Sequence, residues 1–219
     1  MTVVAPTLTL ERRLLKEFDL IIALDEVGRG ALAGPVAVGA AVMDAAGSRR
    51  RVLDGLRDSK MITEKRRPEM AERAQAWVPV SAVGWASAAE IDEVGIMGAL
   101  GLAASRAVQA VVDAGASLER TLVILDGNHD YVSRVHPVPL TVRTIIKGDR
   151  DCASVSAASV IAKVARDTHM AALHPEHPDY QWERNKGYAS PEHRQAIRER
   201  GLSPLHRSSW AIADAPTLF

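Results

Sequence analysis

At 219 residues and 47% hydrophobic content, the chain can bury one sizeable core, as a single large domain or a domain with a small appendage. Its 27 Lys and Arg balance 27 Asp and Glu, so no overall charge marks a polyanion binder and any basic surface must be local. The lone cysteine, Cys152, excludes an intrachain disulfide and suits a reducing cytosol; with no signal-peptide pattern and no apolar run of bilayer length, a soluble cytoplasmic protein is expected.

Leu10, Leu14, Leu15 and Phe18 fall at helical spacing, which predicts a short docked helix within 8–18. Next, Leu20-Ile21-Ile22-Ala23-Leu24 reads as a buried strand that ends in Asp25-Glu26 and a Gly28-Arg29-Gly30 turn. Strand side chains alternate faces, and an unpaired buried carboxylate is costly, so the acidic pair belongs at the strand's mouth beside a basic neighbour or a metal ion. A second strand begins after Pro35 with Val36, Val38 and Val42, followed by a polar connection over 44–60. Thr63, with Glu64 behind it, is expected to cap a helix running toward Trp77, and 78–86 resume a strand pattern.

Leu100, Ala104, Ala107, Val108 and Val111 predict a helix over about 90–113, stopped by Gly115. Leu122 to Leu125 is continuously apolar, as in a strand buried on both faces, and ends in Asp126-Gly127-Asn128. A further strand over 141–146 ends at Lys147-Gly148-Asp149. The helix after it carries Ala157, Ala158, Ile161, Val164 and Ala165 on one side, and Ser156, Ser159, Lys163 and Arg166 on a side polar enough to meet a ligand. Asp151 beside Cys152 would raise the thiol's pKa, so a packed residue is expected there rather than a nucleophile. Ser190 as N-cap, Pro191 at the first position and Gly201 past the end delimit a last helix. Between Arg184 and Trp210 the chain is locally basic, which suits a solvated surface or phosphate contact. Strands followed by alternating strands and helices argue for an α/β fold with helices on the faces of a mixed sheet.

Three apolar strands thus lead into acids: Asp25-Glu26, Asp126, and Asp149 after Lys147-Gly148. Open α/β sheets form their sites at the carboxyl ends of central strands, which predicts one cleft holding four carboxylates. Left unscreened they would repel and take up protons; Mg²⁺ or Mn²⁺, hard cations with oxygen ligands, relieve this. Two such ions about 4 Å apart activate a water and stabilise the leaving oxygen of a phosphodiester, so phosphoryl hydrolysis is the expected chemistry. Taken singly, Asp126 and Asp149 read equally well as turn residues; the doublet on the first strand favours a shared site.

Gly28 to Gly34 has the outline of a dinucleotide-binding loop, but Pro35 introduces a strand rather than a helix, and two acids would face the pyrophosphate. Glycines flanking an arginine instead let the main chain approach a sugar or phosphate and donate its amides. His174 and His177 lack the thiols or third ligand that zinc would need. Tyr188, close to Lys186, reads either as an aromatic that stacks on a base or sugar or as a core tyrosine.

Asp25-Glu-Val-Gly-Arg-Gly30, Leu32-Ala-Gly-Pro35, Asp58-Ser-Lys60, Ile124-Leu-Asp-Gly-Asn128, Lys147-Gly-Asp149, Ser156 to Lys163 and Asn185-Lys-Gly-Tyr188 closely resemble the bacterial type 2 ribonuclease H family, ribonuclease HII. These motifs run in family order from about residue 19 to 210. The resemblance implies a ribonuclease H-like mixed five-stranded sheet flanked by helices, with an N-terminal helical extension (1–18), a catalytic domain (19–173) and a helical substrate-binding appendage (174–219). It implies Mg²⁺- or Mn²⁺-dependent cleavage of RNA in RNA–DNA hybrids, and on the 5′ side of single ribonucleotides in duplex DNA, leaving a 3′-hydroxyl and a 5′-phosphate. Asp25, Glu26, Asp126 and Asp149 match the family's metal-binding acids. Gly28, Arg29 and Gly30 match the motif that senses the ribose 2′-hydroxyl, and Tyr188 the aromatic that stacks on the junction sugar. Lys60, Lys147, Lys163 and Ser190 are candidate phosphate contacts, although Ala189-Ser190 stands where Gly-Thr is more usual. The tail 211–219 lacks a sliding-clamp peptide, no membrane partner is expected, and a monomer is. A DNA-directed nuclease or integrase on the same fold, and a non-catalytic hybrid-binding module, are the alternatives.

Overall fold

Five strands form one mixed sheet in the order β3-β2-β1-β4-β5 in the computed structural model, which describes residues 5–210. Strand β1 (Leu20–Val27) pairs antiparallel with β2 (Val36–Asp44), from Leu20 opposite Asp44 to Val27 opposite Ala37. β2 pairs antiparallel with β3 (Ser81–Ala86). On its other side β1 runs parallel to β4 (Thr121–Asp126), and β4 runs parallel to β5 (Thr141–Ile145). The parallel trio decides where the chemistry goes, because its carboxyl ends share one edge of the sheet. Burial on both faces explains why Ile21 to Leu24 and Leu122 to Leu125 read as continuous apolar runs.

Helices cover both faces. On one side lie α1 (Thr9–Leu14), α2 (Ala45–Ser48), α3 (Arg67–Trp77) and α6 (Ala153–Leu173), whose Met70, Ala74, Val155, Ala158 and Ile161 pack with Ile21, Ala23, Met43 and Ile124. On the other, α4 (Ala88–Asp113) sets Leu100, Ala104, Ala107, Val108 and Val111 against Ile22, Leu24, Val38 and Val123. Two strand glycines permit these close approaches. A Cβ on Gly39 would stand 2.3 Å from the Ala158 carbonyl oxygen of α6, and one on Gly84 2.0 Å from that of Ala103 in α4.

Several expectations need correction. The helix expected within 8–18 is confined to Thr9–Leu14, and it docks through a buried acid: Glu11 accepts from the Ser154 amide (2.9 Å) and hydroxyl (2.8 Å) in the first turn of α6. Thr63 makes no side-chain cap; it precedes a 3₁₀ turn (Glu64–Arg66), and α3 begins at Arg67. α4 starts earlier than its apolar stripe, because Ser87 and Glu90 form a reciprocal capping box, and it kinks at Gly95, where φ is 73°. By length and composition α4 is apolar enough to cross a membrane, contrary to the expectation that no such run exists, yet its apolar stripe is committed to the sheet. Asp149 lies in a short helix, α5 (Gly148–Asp151), rather than on the strand end itself. The supposedly ligand-facing side of α6 is largely interior: Ser156, Ser159 and Arg166 are buried. Cys152 is packed as expected, and burial pushes its thiol up to about 12.

After two 3₁₀ turns (174–176 and 178–180), the C-terminal segment adds α7 (Trp182–Asn185) and α8 (Pro191–Arg200), the latter delimited by Ser190 and Gly201 as expected. Tyr180, Trp182, Ala196 and Ile197 make a small core with Leu32, Ala33 and Met170. Beside it runs a closed chain of hydrogen bonds. The Ser203 amide donates to His206 Nδ1 (2.9 Å), so His206 carries its proton on Nε2 and donates to His193 Nε2 (3.1 Å). Trp182 Nε1 also donates to His193 Nε2 (3.2 Å), and His193 Nδ1 donates to the Tyr188 carbonyl (2.8 Å). Only two neutral imidazoles satisfy this chain.

Burial, and then the neighbouring His193, accordingly push His206 down to about 4. A depressed histidine contributes stability that is present above its unfolded pKa, near 6.5, and lost as pH falls toward the folded value, on the order of 3 kcal/mol here. The stability advantage of the wild type over a His206→Gln variant is therefore expected to shrink between pH 7 and pH 4 in denaturant titrations. A pH-independent difference would contradict this account.

Candidate active site

Asp25 and Glu26 leave β1 at the shared carboxyl edge, Asp126 closes β4, and Asp149 follows β5 in the first turn of α5. The segments are tied together: the Asp149 amide donates to Asp126 Oδ1 (3.2 Å), and the Gly127 amide to the Ile145 carbonyl (3.0 Å). Burial pushes the Asp25 carboxyl well above the usual carboxylate range; a hydrogen bond from Ser159 opposes this, while Glu26, Asp126 and Asp149 add to it. Asp149 is raised to about 6 by burial, then by Asp126 and Asp58, with Lys60 pulling the other way. Glu26 is raised by burial against the attraction of Arg29, 3.7 Å away. The four acids thus share one electrostatic pocket and lack enough positive charge to balance it.

That imbalance, on oxygen donors alone, fits hard divalent cations. Among the described residues no three such side chains close into a ready-made cage, as like charges that repel would not. Beside Asp25 and Glu26 lies a cleft of about 350 Å³ lined also by Ser59, Lys60, Lys163 and Tyr188, while Asp126 and Asp149 stand outside its lining. A larger hollow of about 490 Å³ flanks α8, far from these acids in the chain, and Asp179, Arg200, Gln195 and Arg198 at its rim are engaged with one another or with neighbours.

The other expected residues divide. Lys60 Nζ stands 3.7 Å from Asp149, and Lys163 is tied to Asp167 at 2.8 Å with its ammonium 5.4 Å from the Tyr188 ring centre. Gly28 has φ 85° and its amide donates to the Tyr188 hydroxyl (3.2 Å), so the glycine turn and the tyrosine form one wall. Arg29 and Gly30 are exposed there. Lys147 does not join them: it is exposed, left-handed at φ 61°, and lines no part of the cleft. Ser190 accepts from the His193 amide (3.1 Å) as the cap of α8. The basic stretch 184–210 is partly internal, since Arg207 is fully buried.

Sequence reasoning missed Tyr131, and missed the roles, though not the positions, of Arg166 and Arg207. Tyr131, in the 129–140 segment, is buried and its hydroxyl donates to Glu26 Oε2 (3.3 Å); burial, then Glu26, push the phenol well above its usual range, so it remains a neutral donor. Arg166 and Arg207 hold the glycine turn from beneath. A tyrosine between two metal-site acids was the one available signal; nothing local distinguishes the arginines.

A mixed sheet with carboxylates gathered at the ends of its parallel strands defines an enzyme of the ribonuclease H-like class. The family model for ribonuclease HII matches residues 22–213. Ribonuclease HII of Streptomyces avermitilis is 49% identical over 212 residues, spanning 96% of this chain and 85% of that protein. The crystal structure of ribonuclease H2 from Pyrococcus horikoshii OT3 is 26% identical with a TM-score of 0.69, covering 89% of this chain and 95% of that one. The fold is shared also with Bst-RNase HIII in complex with Mn²⁺, at 22% identity and a TM-score of 0.71 over 91% of this chain and 70% of that one. The chain belongs to the ribonuclease HII family.

Proposed function

We propose that this type 2 ribonuclease H hydrolyses the RNA strand of RNA–DNA hybrids and cuts 5′ of single ribonucleotides in duplex DNA, with Mg²⁺ or Mn²⁺ held by Asp25, Glu26, Asp126 and Asp149. The observation that carries this reading is the gathering of four acids from three chain segments beside a glycine turn that offers its main chain to a ligand. Bound cations would supply charge stabilisation at the phosphodiester and a more acidic water. The chain's own residues do the rest. Tyr131 holds Glu26 by its hydroxyl, and Lys60, beside Asp149, can meet a phosphate oxygen. Gly28, Arg29 and Gly30 face the sugar, where the 2′-hydroxyl alone separates RNA from DNA. Tyr188 presents its ring to that sugar, and its hydroxyl is already engaged by Gly28. The enzyme acts as a monomer in the reducing cytoplasm, where its single thiol is safe. The tail 211–219, expected to carry no sliding-clamp peptide, lies outside the described residues.

The test is cleavage of a labelled duplex carrying one ribonucleotide, beside an all-DNA duplex, with Mg²⁺, Mn²⁺ or a chelator. Cutting of the first alone, restored by either metal and abolished by the chelator, is expected. Equal cutting of both would make this a DNA nuclease, and chelator-insensitive binding without turnover would make it a hybrid-binding module.

A further inference from the structure

Arg166 and Arg207 are fully buried, yet neither is paired with a carboxylate among the described residues. The acids nearest in charge are engaged elsewhere: Asp167 with Arg67 and Lys163, and Asp92 with the amides and hydroxyls of Ser208 and Ser209. Buried cations without anions are costly. Here the compensation comes from main-chain carbonyls, all but one of them in the loop 28–35. Arg207 donates to the carbonyls of Gly28 (2.6 Å), Arg29 (2.9 Å), Gly34 (3.2 Å) and Pro35 (3.3 Å). Arg166 donates to Pro35 (2.8 Å), Ala33 (3.1 Å) and Lys186 (3.0 Å), and packs so closely on Gly28 that a Cβ there would lie 2.0 Å from its Nε.

The geometry has a directional consequence. In a trans peptide the C=O and the following N–H point opposite ways. With the carbonyls of Gly28 and Arg29 drawn inward by Arg207, the amides of Arg29 and Gly30 are turned outward, and among the described residues neither finds a protein acceptor. A cation on each carbonyl also polarises its peptide and strengthens the outward donor.

We propose that Arg166 and Arg207 are positioning residues for ribonucleotide recognition: their guanidinium forks fix the Gly28–Gly30 main chain so that two successive amides meet sugar and phosphate oxygens at the ribose. This rests on the substrate reading above. A lysine keeps the charge and loses the fork, because one ammonium cannot span four carbonyls in a fixed plane.

The test measures affinity for a duplex with one ribonucleotide and for an all-DNA duplex, in Ca²⁺, for wild type, Arg166→Lys and Arg207→Lys. Mn²⁺ affinity and circular dichroism are followed alongside. The expected result is at least a tenfold loss of ribonucleotide preference in Arg207→Lys and a smaller loss in Arg166→Lys, with all-DNA affinity and Mn²⁺ binding within about twofold of wild type. Preference retained in both variants, equal weakening on both duplexes, or loss of fold in both would overturn the proposal, since the arginines would then serve stability alone. A wild type without any preference would instead sink the substrate reading itself.

Discussion

Asp25→Asn is expected to lower turnover of a ribonucleotide-containing duplex about 10³-fold, on the order of 4 kcal/mol of barrier, while raising the melting temperature of the metal-free protein. Both signs follow from one environment. Burial pushes the Asp25 carboxyl well above the usual range, and Glu26, Asp126 and Asp149 add to that push. A carboxyl whose folded pKa is raised contributes stability that is present below its unfolded pKa and lost as pH rises through the folded value. Above its unfolded pKa the group therefore burdens the fold, whether it ionises in the pocket or holds its proton against the solvent, and the isosteric amide removes that burden along with a charge the chemistry needs. Single-turnover cleavage and thermal melts in chelator and in Mg²⁺ check the two halves. Wild-type cleavage, or a lower melting temperature in chelator, would refute the site as described. Mg²⁺ should raise the melting temperature of the wild type more than that of the variant, because binding to the folded state alone stabilises by mass action.

Gly39→Ala is the second large effect, and it acts through packing. Gly39 pairs with Asp25 across β1 and β2, and α6 lies directly over it. An added methyl would stand 2.3 Å from the Ala158 carbonyl oxygen and 3.0 Å from the Ala162 Cβ, neither of which is the free end of a flexible side chain. The helix must lift from the sheet, and it carries Ser159, Lys163 and Arg166, all of which bear on the cleft. A loss of about 3 kcal/mol, or roughly 10 °C in melting temperature, is expected, together with reduced cleavage. Gly30→Ala is the control for stability, because its Cβ would meet nothing within 4 Å. Equal melting temperatures for the two variants would show that α6 accommodates the methyl at no cost.

The acids at the strand mouths were legible because they depend on local pattern. A run such as Leu20 to Leu24 cannot continue through Asp25-Glu26 without leaving the core, and the parallel order of β1, β4 and β5 then gathers the strand ends. The five-stranded mixed sheet was legible in the same way, through alternation and apolar runs. Arg166 and Arg207 were not. In sequence Arg166 reads as part of a ligand-facing side and Arg207 as part of a basic stretch, and the burial of each depends on carbonyls up to 179 positions away. Tyr131 was missed for a related reason: its segment has no periodicity, and only its contact with Glu26, 105 positions earlier, gives it a role. Ser190 was legible as a cap, since it precedes Pro191 at the start of α8. Lys147 was offered as a phosphate contact from its place in a motif; it is exposed and left-handed, just ahead of Asp149.

The bonds from Arg207 to Gly28 and Arg29 join nearly opposite ends of the polypeptide. During translation the four acids and the glycine turn leave the ribosome well before residue 207 does. The brace on the sugar-facing loop can therefore form only after residue 207 has emerged. The sugar-facing loop is thus fastened by a residue made long after the loop itself.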